Sequence, residues 1–197
     1  MAVNKVGRPS KAAERRAQIF GAVTDVIALE GLSALTTTSV AEAAGLKRTL
    51  VGHYFPSRDS LIEQYVSFAV GVYGEVMIER AAVGSVDEAL HAMLDESAYP
   101  EPKYLTVWLD LVAASSRDPS IQTQLDWLWT ELWLPKIRAL IATEHPGAGR
   151  EQLAGAAFCI TALIEAYWAF RAQLTTGHVR RRRQVVAACH GILAQLD

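Results

Sequence analysis

Apolar residues recur every three or four positions along nearly the whole 197-residue chain, and the breaks in that rhythm carry helix-end chemistry rather than hairpin turns. Such a pattern points to an all-α fold, because a 3.6-residue stripe laid on a strand would scatter its side chains over both faces. The stripe Ile19, Val23, Val26, Ile27 with Leu29 and Leu32 predicts a helix over 11–30 closed by Gly31. A short helix over 38–44 follows. One of Thr36, Thr37 and Thr38 should cap it, with Ser39-x-x-Glu42 as a competing capping-box register. Gly45 makes a tight turn before a third short helix over 48–53. Pro56 stops the pattern, Ser57 caps a long helix to about residue 82, and Ser85-x-x-Glu88 opens another to about 97. The two prolines of residues 99–103 read as a loop, and a helix over 104–115 ends at Asp118-Pro119. The next helix starts near Ser120 and meets Pro135, which must kink or split it. Two final helices, over 150–174 and 179–196, are divided by Thr176-Gly177. The total is about nine helices.

Composition excludes some classes. Hydrophobic residues make up 51% of the chain, enough for a real core and too many for global disorder. Cys159 and Cys189 lie in apolar helical stretches without CxxC spacing and read as reduced core thiols in a cytoplasmic protein. The basic N-terminus has no apolar run behind it, so no signal peptide is expected, and no segment reads as a membrane span. The net charge of −2 hides an asymmetry: residues 1–60 carry +3 and the remainder −5. A basic head on an acidic body is what a polyanion-binding protein needs.

The most informative stretch is residues 36–61, TTTSVAEAAGLKRTLVGHYFPSRDSL. Val40, Ala41, Ala44, Leu46, Leu50 and Val51 would form a small wedge between two short helices. The alanines let the axes approach closely, and Gly45 can take the left-handed conformation that so sharp a turn requires. The second helix opens with Lys47, Arg48 and Thr49, two cations and a hydroxyl at the end that would enter a major groove.

On these residues the segment resembles the TetR-family DNA-binding domain. Val40-Ala41, Ala44-Gly45-Leu46, His53-Tyr54-Phe55 and Arg58-Asp59-Ser60-Leu61 fall in register with the family pattern, over about fifty residues from Gln18. Lys47 stands where the family usually has a capping serine, Thr49 replaces a common glycine, and Gly52 replaces a tyrosine that often contacts phosphate. The resemblance implies a helix-turn-helix head over 1–56 and a helical effector-binding and dimerisation body over 57–197. It also implies base contacts from Lys47, Arg48 and Thr49, and phosphate contacts from Thr37, Thr38, Tyr54 and Arg58, with His53 beside them. Arg8, in a basic arm, is either a minor-groove contact or part of a solubilising tail. The His-Tyr-Phe ending is similar to the BetI-type branch, as are the Tyr104–Trp108 and Glu165–Trp168 stretches of the body.

The body carries no catalytic signature. The five histidines form no HxxxH or Cys/His cluster, and neither a GxSxG nor a phosphate-binding glycine loop occurs, so no metal, cofactor or enzymatic activity is expected. All five tryptophans lie in the body. Aromatic stripes are usually core; here the resemblance implies a pocket for a small organic effector, walled by Tyr104, Trp108, Trp127 and Trp168 with Glu165 as polar anchor. Rings around one carboxylate would favour an organic cation, with a neutral or anionic aromatic ligand as the alternative. A homodimer interface is expected from the last two helices, through Ala157, Phe158, Thr161, Ala162, Ile164 and Glu165 on one and Val186, Cys189, Ile192 and Leu193 on the other. The expected function is a cytoplasmic repressor that binds palindromic double-stranded operator DNA. The rival is a ligandless helical regulator or adaptor controlled by protein partners, and the presence or absence of a cavity discriminates between them.

Overall fold

A computed structural model describes residues 10–82 and 84–196, so Arg8 and its arm lie outside the described residues. Among these the chain forms ten α-helices and no strand. They are α1 (Lys11–Glu30), α2 (Thr37–Ala44), α3 (Arg48–Tyr54), α4 (Arg58–Ala81), α5 (Val86–Met93), α6 (Pro102–Ser115), α7 (Pro119–Trp127), α8 (Leu134–Glu144), α9 (Arg150–Gln173) and α10 (His178–Leu193). A six-residue π-helical turn, Leu128–Trp133, joins α7 to α8 without a break, so the helical rods number nine among the described residues. Pro135 thus neither splits the rod nor stops it. The wider turn just before it absorbs the missing N–H.

The chain divides into two compact units, 1–65 and 66–197. The division falls inside α4, later than the expected start of the body at Ser57, because Leu61, Ile62 and Tyr65 are buried in the first unit.

The first unit is held by Ile19, Val23, Ile27, Leu35, Val40, Val51, Phe55 and Leu61, each essentially inaccessible to solvent. Phe20 packs on Phe55 and Tyr65 at centroid distances of 5.5 and 5.9 Å, and the Tyr65 hydroxyl shares a 2.9 Å hydrogen bond with Thr24. Gly31 closes α1 with a positive φ of 83°. Leu29 lies on the far side of that helix and is 83% exposed, so it leaves the inward stripe to which it was assigned. Thr36 caps α2, and Ser39 completes the box by accepting from the Thr36 N–H at 3.0 Å. Glu42 therefore has no part in the cap.

The second unit is built around Met77, Leu90, Met93, Leu94, Trp133, Ile137, Ile141, Ile160, Ile164 and Trp168. Ser85 and Glu88 form the expected capping box, and Asp118 caps α7 with Pro119 at its first position. Gly74, buried on α4, lets the π turn come close. A Cβ there would lie 2.8 Å from Leu132 Cδ2 and 3.2 Å from Leu128 Cδ1.

One expectation about α9 is overturned. Its 24 residues have a mean hydropathy of 1.6 over the best window, long and apolar enough to cross a membrane by length and composition, and only 39% of that window is buried.

Candidate functional site

In the first unit, Gly45 sits at φ 64°, ψ 33° and closes α2 with two backbone hydrogen bonds, to Ala41 and Glu42. A β-carbon is tolerated poorly in that left-handed conformation, so the turn asks for glycine. Gln18 donates to the Ala44 carbonyl at 2.9 Å and fixes the turn from α1. Lys47 is the N-cap of α3 but makes no side-chain cap bond, since an ammonium cannot accept from a backbone N–H. Arg48 and Thr49 follow in the first turn, and all three are exposed. The open end of α3 therefore presents two cations, a hydroxyl and uncapped amide donors, an arrangement suited to an anionic groove.

Thr38 and His53 are exposed and Thr37 and Tyr54 half-buried. Tyr54 meets His53 edge-on at 5.5 Å, and the Arg16 guanidinium lies 6.0 Å from the Tyr54 ring and 5.7 Å from Phe55. Arg16, not singled out in the sequence, also donates to Gln64 at 2.8 Å and so joins the start of α4 to α1. Arg58 also braces the turn: its Nε donates to the Leu35 carbonyl at 2.7 Å and one Nη to Leu32 at 3.2 Å, while the side chain stays exposed with N–H donors to spare.

The second unit contains a different kind of site. Glu165, on α9, has both carboxylate oxygens bound: Oε1 accepts from the Tyr73 hydroxyl at 2.5 Å and Oε2 from the Trp108 indole N–H at 2.9 Å. Tyr73 and Trp108 stack face to face, centroids 4.0 Å apart and planes 2° from parallel. Trp129 stands edge-on to both, at 6.1 and 5.9 Å. Tyr99 packs edge-on to Trp168 at 4.8 Å, and its buried hydroxyl lies against that of Tyr73. Glu165 has no cationic partner among the described residues. Burial raises its pKa, against the lowering effect of the two hydrogen bonds. Burial, and then the neighbouring Glu165 charge, raise the pKa values of Tyr73 and Tyr99 as well.

The segment bearing Tyr99 is tied down by three arginines. Arg80 donates to the Ala92 carbonyl at 3.3 Å and to Ser97, Arg171 meets Glu96 at 2.7 Å, and Arg182 meets Asp95 at 3.0 Å. Of the expected pocket residues, Trp108, Glu165 and Trp168 converge and two do not. Tyr104 is 42% and Trp127 51% exposed, and their rings lie on the surface. Tyr73, Tyr99 and Trp129 take those places. Trp127 and Trp129, two residues apart on one rod, cannot both face inward, and spacing alone did not say which would.

The dimer expectation also changes. Ala157, Thr161, Ile164, Val186, Cys189 and Leu193 are buried inside their own subunit; Thr161 accepts from Trp133 Nε1 at 3.2 Å, and burial pushes the Cys189 thiol up to about 11. Glu165 belongs to the aromatic site, and Ile192 is half-buried. What faces outward on α9 is Gly155, Phe158, Cys159, Ala162, Ala166 and Phe170, with Ala187, Ala188 and Gly191 on α10. Cys159 is thus exposed, against its reading as a core thiol. A groove of about 460 Å³ runs beside this face, lined by Leu163, Tyr167, Phe170, Leu174, Val185 and Ala188 among others.

The two short helices around Gly45, with the cationic end of the second exposed, define a helix-turn-helix DNA-binding protein. Residues 19–65 match the family model "Bacterial regulatory proteins, tetR family". The HTH-type transcriptional regulator BetI 1 of Chromohalobacter salexigens is 26% identical over 181 residues, covering 87% of this chain and 86% of the relative. BetI of Burkholderia thailandensis is 29% identical over 161 residues, 78% and 80% of the two chains. Among solved structures, a transcriptional regulator of Pseudomonas aeruginosa PAO1 superposes with a TM-score of 0.75 at 18% identity, covering 93% and 90% of the two chains. A regulator from Saccharomonospora viridis, solved in complex with choline, has a TM-score of 0.70 at 20% identity over 87% and 93%. Residues 19–65 are thus a tetR-family DNA-binding domain, and over most of its length the chain is similar to BetI-type transcriptional regulators, which are regulators rather than enzymes.

Proposed function

We propose that the protein is a cytoplasmic repressor that grips a palindromic operator as a homodimer and leaves it when a small organic cation binds the second unit. The observation that carries the effector reading is Glu165. A carboxylate withdrawn from water without a countercharge is costly, and the aromatic faces of Tyr73, Trp108 and Trp129 around it are the partners a quaternary or protonated amine prefers. The choline complex of the Saccharomonospora viridis neighbour supports the same ligand class.

Lys47, Arg48 and Thr49 are proposed to read bases, with Thr37, Thr38, His53 and Tyr54 on phosphates. Arg58, exposed and braced on the Leu32 and Leu35 carbonyls, is proposed to hold a phosphate from the start of α4 with its remaining N–H donors. The exposed apolar stripe of α9 and its neighbours on α10 form the dimer face, since a second copy covers it with like residues. The linking element is α4, which starts among the first unit's residues and bears Tyr73 in the second.

The test is an operator-binding assay with choline, carnitine and spermidine as trial effectors. Release by at least one, with Glu165→Gln insensitive to it, is expected. Release by none, or by neutral analogues equally well, overturns the cationic reading.

A further inference from the structure

Resting on that effector reading, the geometry points to a specific occupant of the cation position in the unliganded protein: the Tyr73 hydroxyl. We propose that Tyr73 is a built-in competitor, and that an organic cation enters by taking the Glu165 oxygen that Tyr73 now holds.

Both oxygens of Glu165 already hold a donor, one Tyr73 and one Trp108, so an incoming ammonium meets a carboxylate whose approach is occupied by their rings. The Tyr73 and Trp108 rings lie 4.0 Å apart, which is contact distance and leaves no slot for an alkylammonium. The cation must therefore separate a stacked pair and displace a hydrogen bond. The two donors are not equally displaceable. Trp108 is buried on α6, and its indole is hemmed in by Tyr73 and Trp129. Tyr73 keeps more solvent exposure than Trp108 and sits on a stretch of α4 where a β-carbon at Gly71 would meet nothing within 4 Å. Tyr73 is the donor that yields.

Charge makes the exchange selective. A neutral hydroxyl satisfies an oxygen of Glu165 without neutralising it, whereas a cation that also carries an N–H or O–H donor, as choline carries its hydroxyl, does both, so a neutral alcohol gains nothing over Tyr73. Tyr73 is in this sense a specificity-determining residue. It sets a threshold that only charged ligands cross, and its departure converts occupancy into a displacement at α4. The titratable groups facing Glu165 are Tyr73 from α4 and Tyr99 from the turn before α6, both held neutral by their raised pKa values.

The experiment titrates choline chloride and its neutral isostere 3,3-dimethylbutanol into the full-length protein, native, Tyr73→Phe and Glu165→Gln, by calorimetry. Tyr73→Phe keeps the ring and removes the competing donor. It should bind choline at least ten-fold more tightly than the native protein, and should narrow the margin between choline and the alcohol. Glu165→Gln should lose choline. Hydrogen exchange over residues 66–81 should rise on choline binding in the native protein and be higher before any ligand in Tyr73→Phe. Choline binding unchanged or weakened in Tyr73→Phe, with Glu165→Gln inactive, overturns the competitor while leaving the cationic site standing. Failure of choline to bind any form, or undiminished binding by Glu165→Gln, overturns the cationic site and the competitor with it.

Discussion

Arg48 and Arg58 are both proposed DNA contacts, and the backbone sets them apart. Arg48 stands free at the open end of α3, whereas Arg58 is held by the Leu32 and Leu35 carbonyls. Arg48→Ala is therefore expected to relax base preference and cost about 1–3 kcal/mol of operator affinity if the contact is bidentate to guanine. A selection against randomised half-sites measures this; a uniform loss with base preference intact would mean that Arg48 holds phosphate. Arg58→Ala should also lower the stability of the first unit by about 1 kcal/mol, modest because the residue is exposed, and a thermal melt reports it. Glu165 gives a pH prediction. Its folded-state pKa lies above the unfolded value, so its contribution to stability is present below the unfolded pKa and lost as pH rises through the folded one. Glu165→Gln should accordingly melt higher than the native protein above that pKa, and the margin should close on acidification. Cation affinity runs the other way. Protonation removes the countercharge, so affinity falls as pH drops through the same raised value.

Among the elements, what the sequence revealed depended on how local the cause was. Helix limits set by adjacent residues were readable: Gly31 after α1, Ser85 and Glu88 at α5, Asp118-Pro119 at α7. Partners distant in the chain were not. Tyr73 and Glu165 meet across 92 residues, and nothing in the periodicity of α4 marks that tyrosine as more than another inward ring. The π turn was equally hidden. A proline predicts disturbance, but whether the rod breaks or widens depends on what can approach it, and here that is Gly74. Gly71 and Gly74 stand three residues apart on α4, and the structure distinguishes them. Gly71→Ala meets nothing within 4 Å and should stabilise the protein by up to about 1 kcal/mol through helix propensity. Gly74→Ala drives a methyl into Leu132 and Leu128 and should cost about 1–3 kcal/mol, overriding that gain. Denaturant titration of the two variants should move their midpoints in opposite directions; a shift to higher stability in both would show that the π turn yields freely.

For the whole molecule, the open question is what covers α9. The interface residues expected from the sequence were the most apolar on the last two helices, and that is why most proved to be buried within one subunit. A helix packed on two sides has two apolar stripes, and composition cannot rank them. The outer stripe through Ala162 should form a C₂ interface burying about 2,000 Å² or more. Ala162→Asp should leave the subunit folded, since that position is exposed within it, yet yield monomers by light scattering at micromolar concentration and abolish tight binding to paired half-sites about 34 Å apart. Monomers in the native protein would remove both the interface and the palindrome. The distribution of indoles has a further, spectroscopic consequence. All five tryptophans belong to residues 108–168 and the DNA-binding unit has none, so ultraviolet-excited indole emission reports on one half of the molecule alone. Trp108 donates its N–H to the very carboxylate proposed to receive the cation, and Trp129 touches the same stack. Effector arrival should therefore change the colour and intensity of the native protein without any attached dye, while operator added alone should leave that light nearly unaltered. Any emission change produced by operator DNA would then be a direct optical signal that the two functions are coupled.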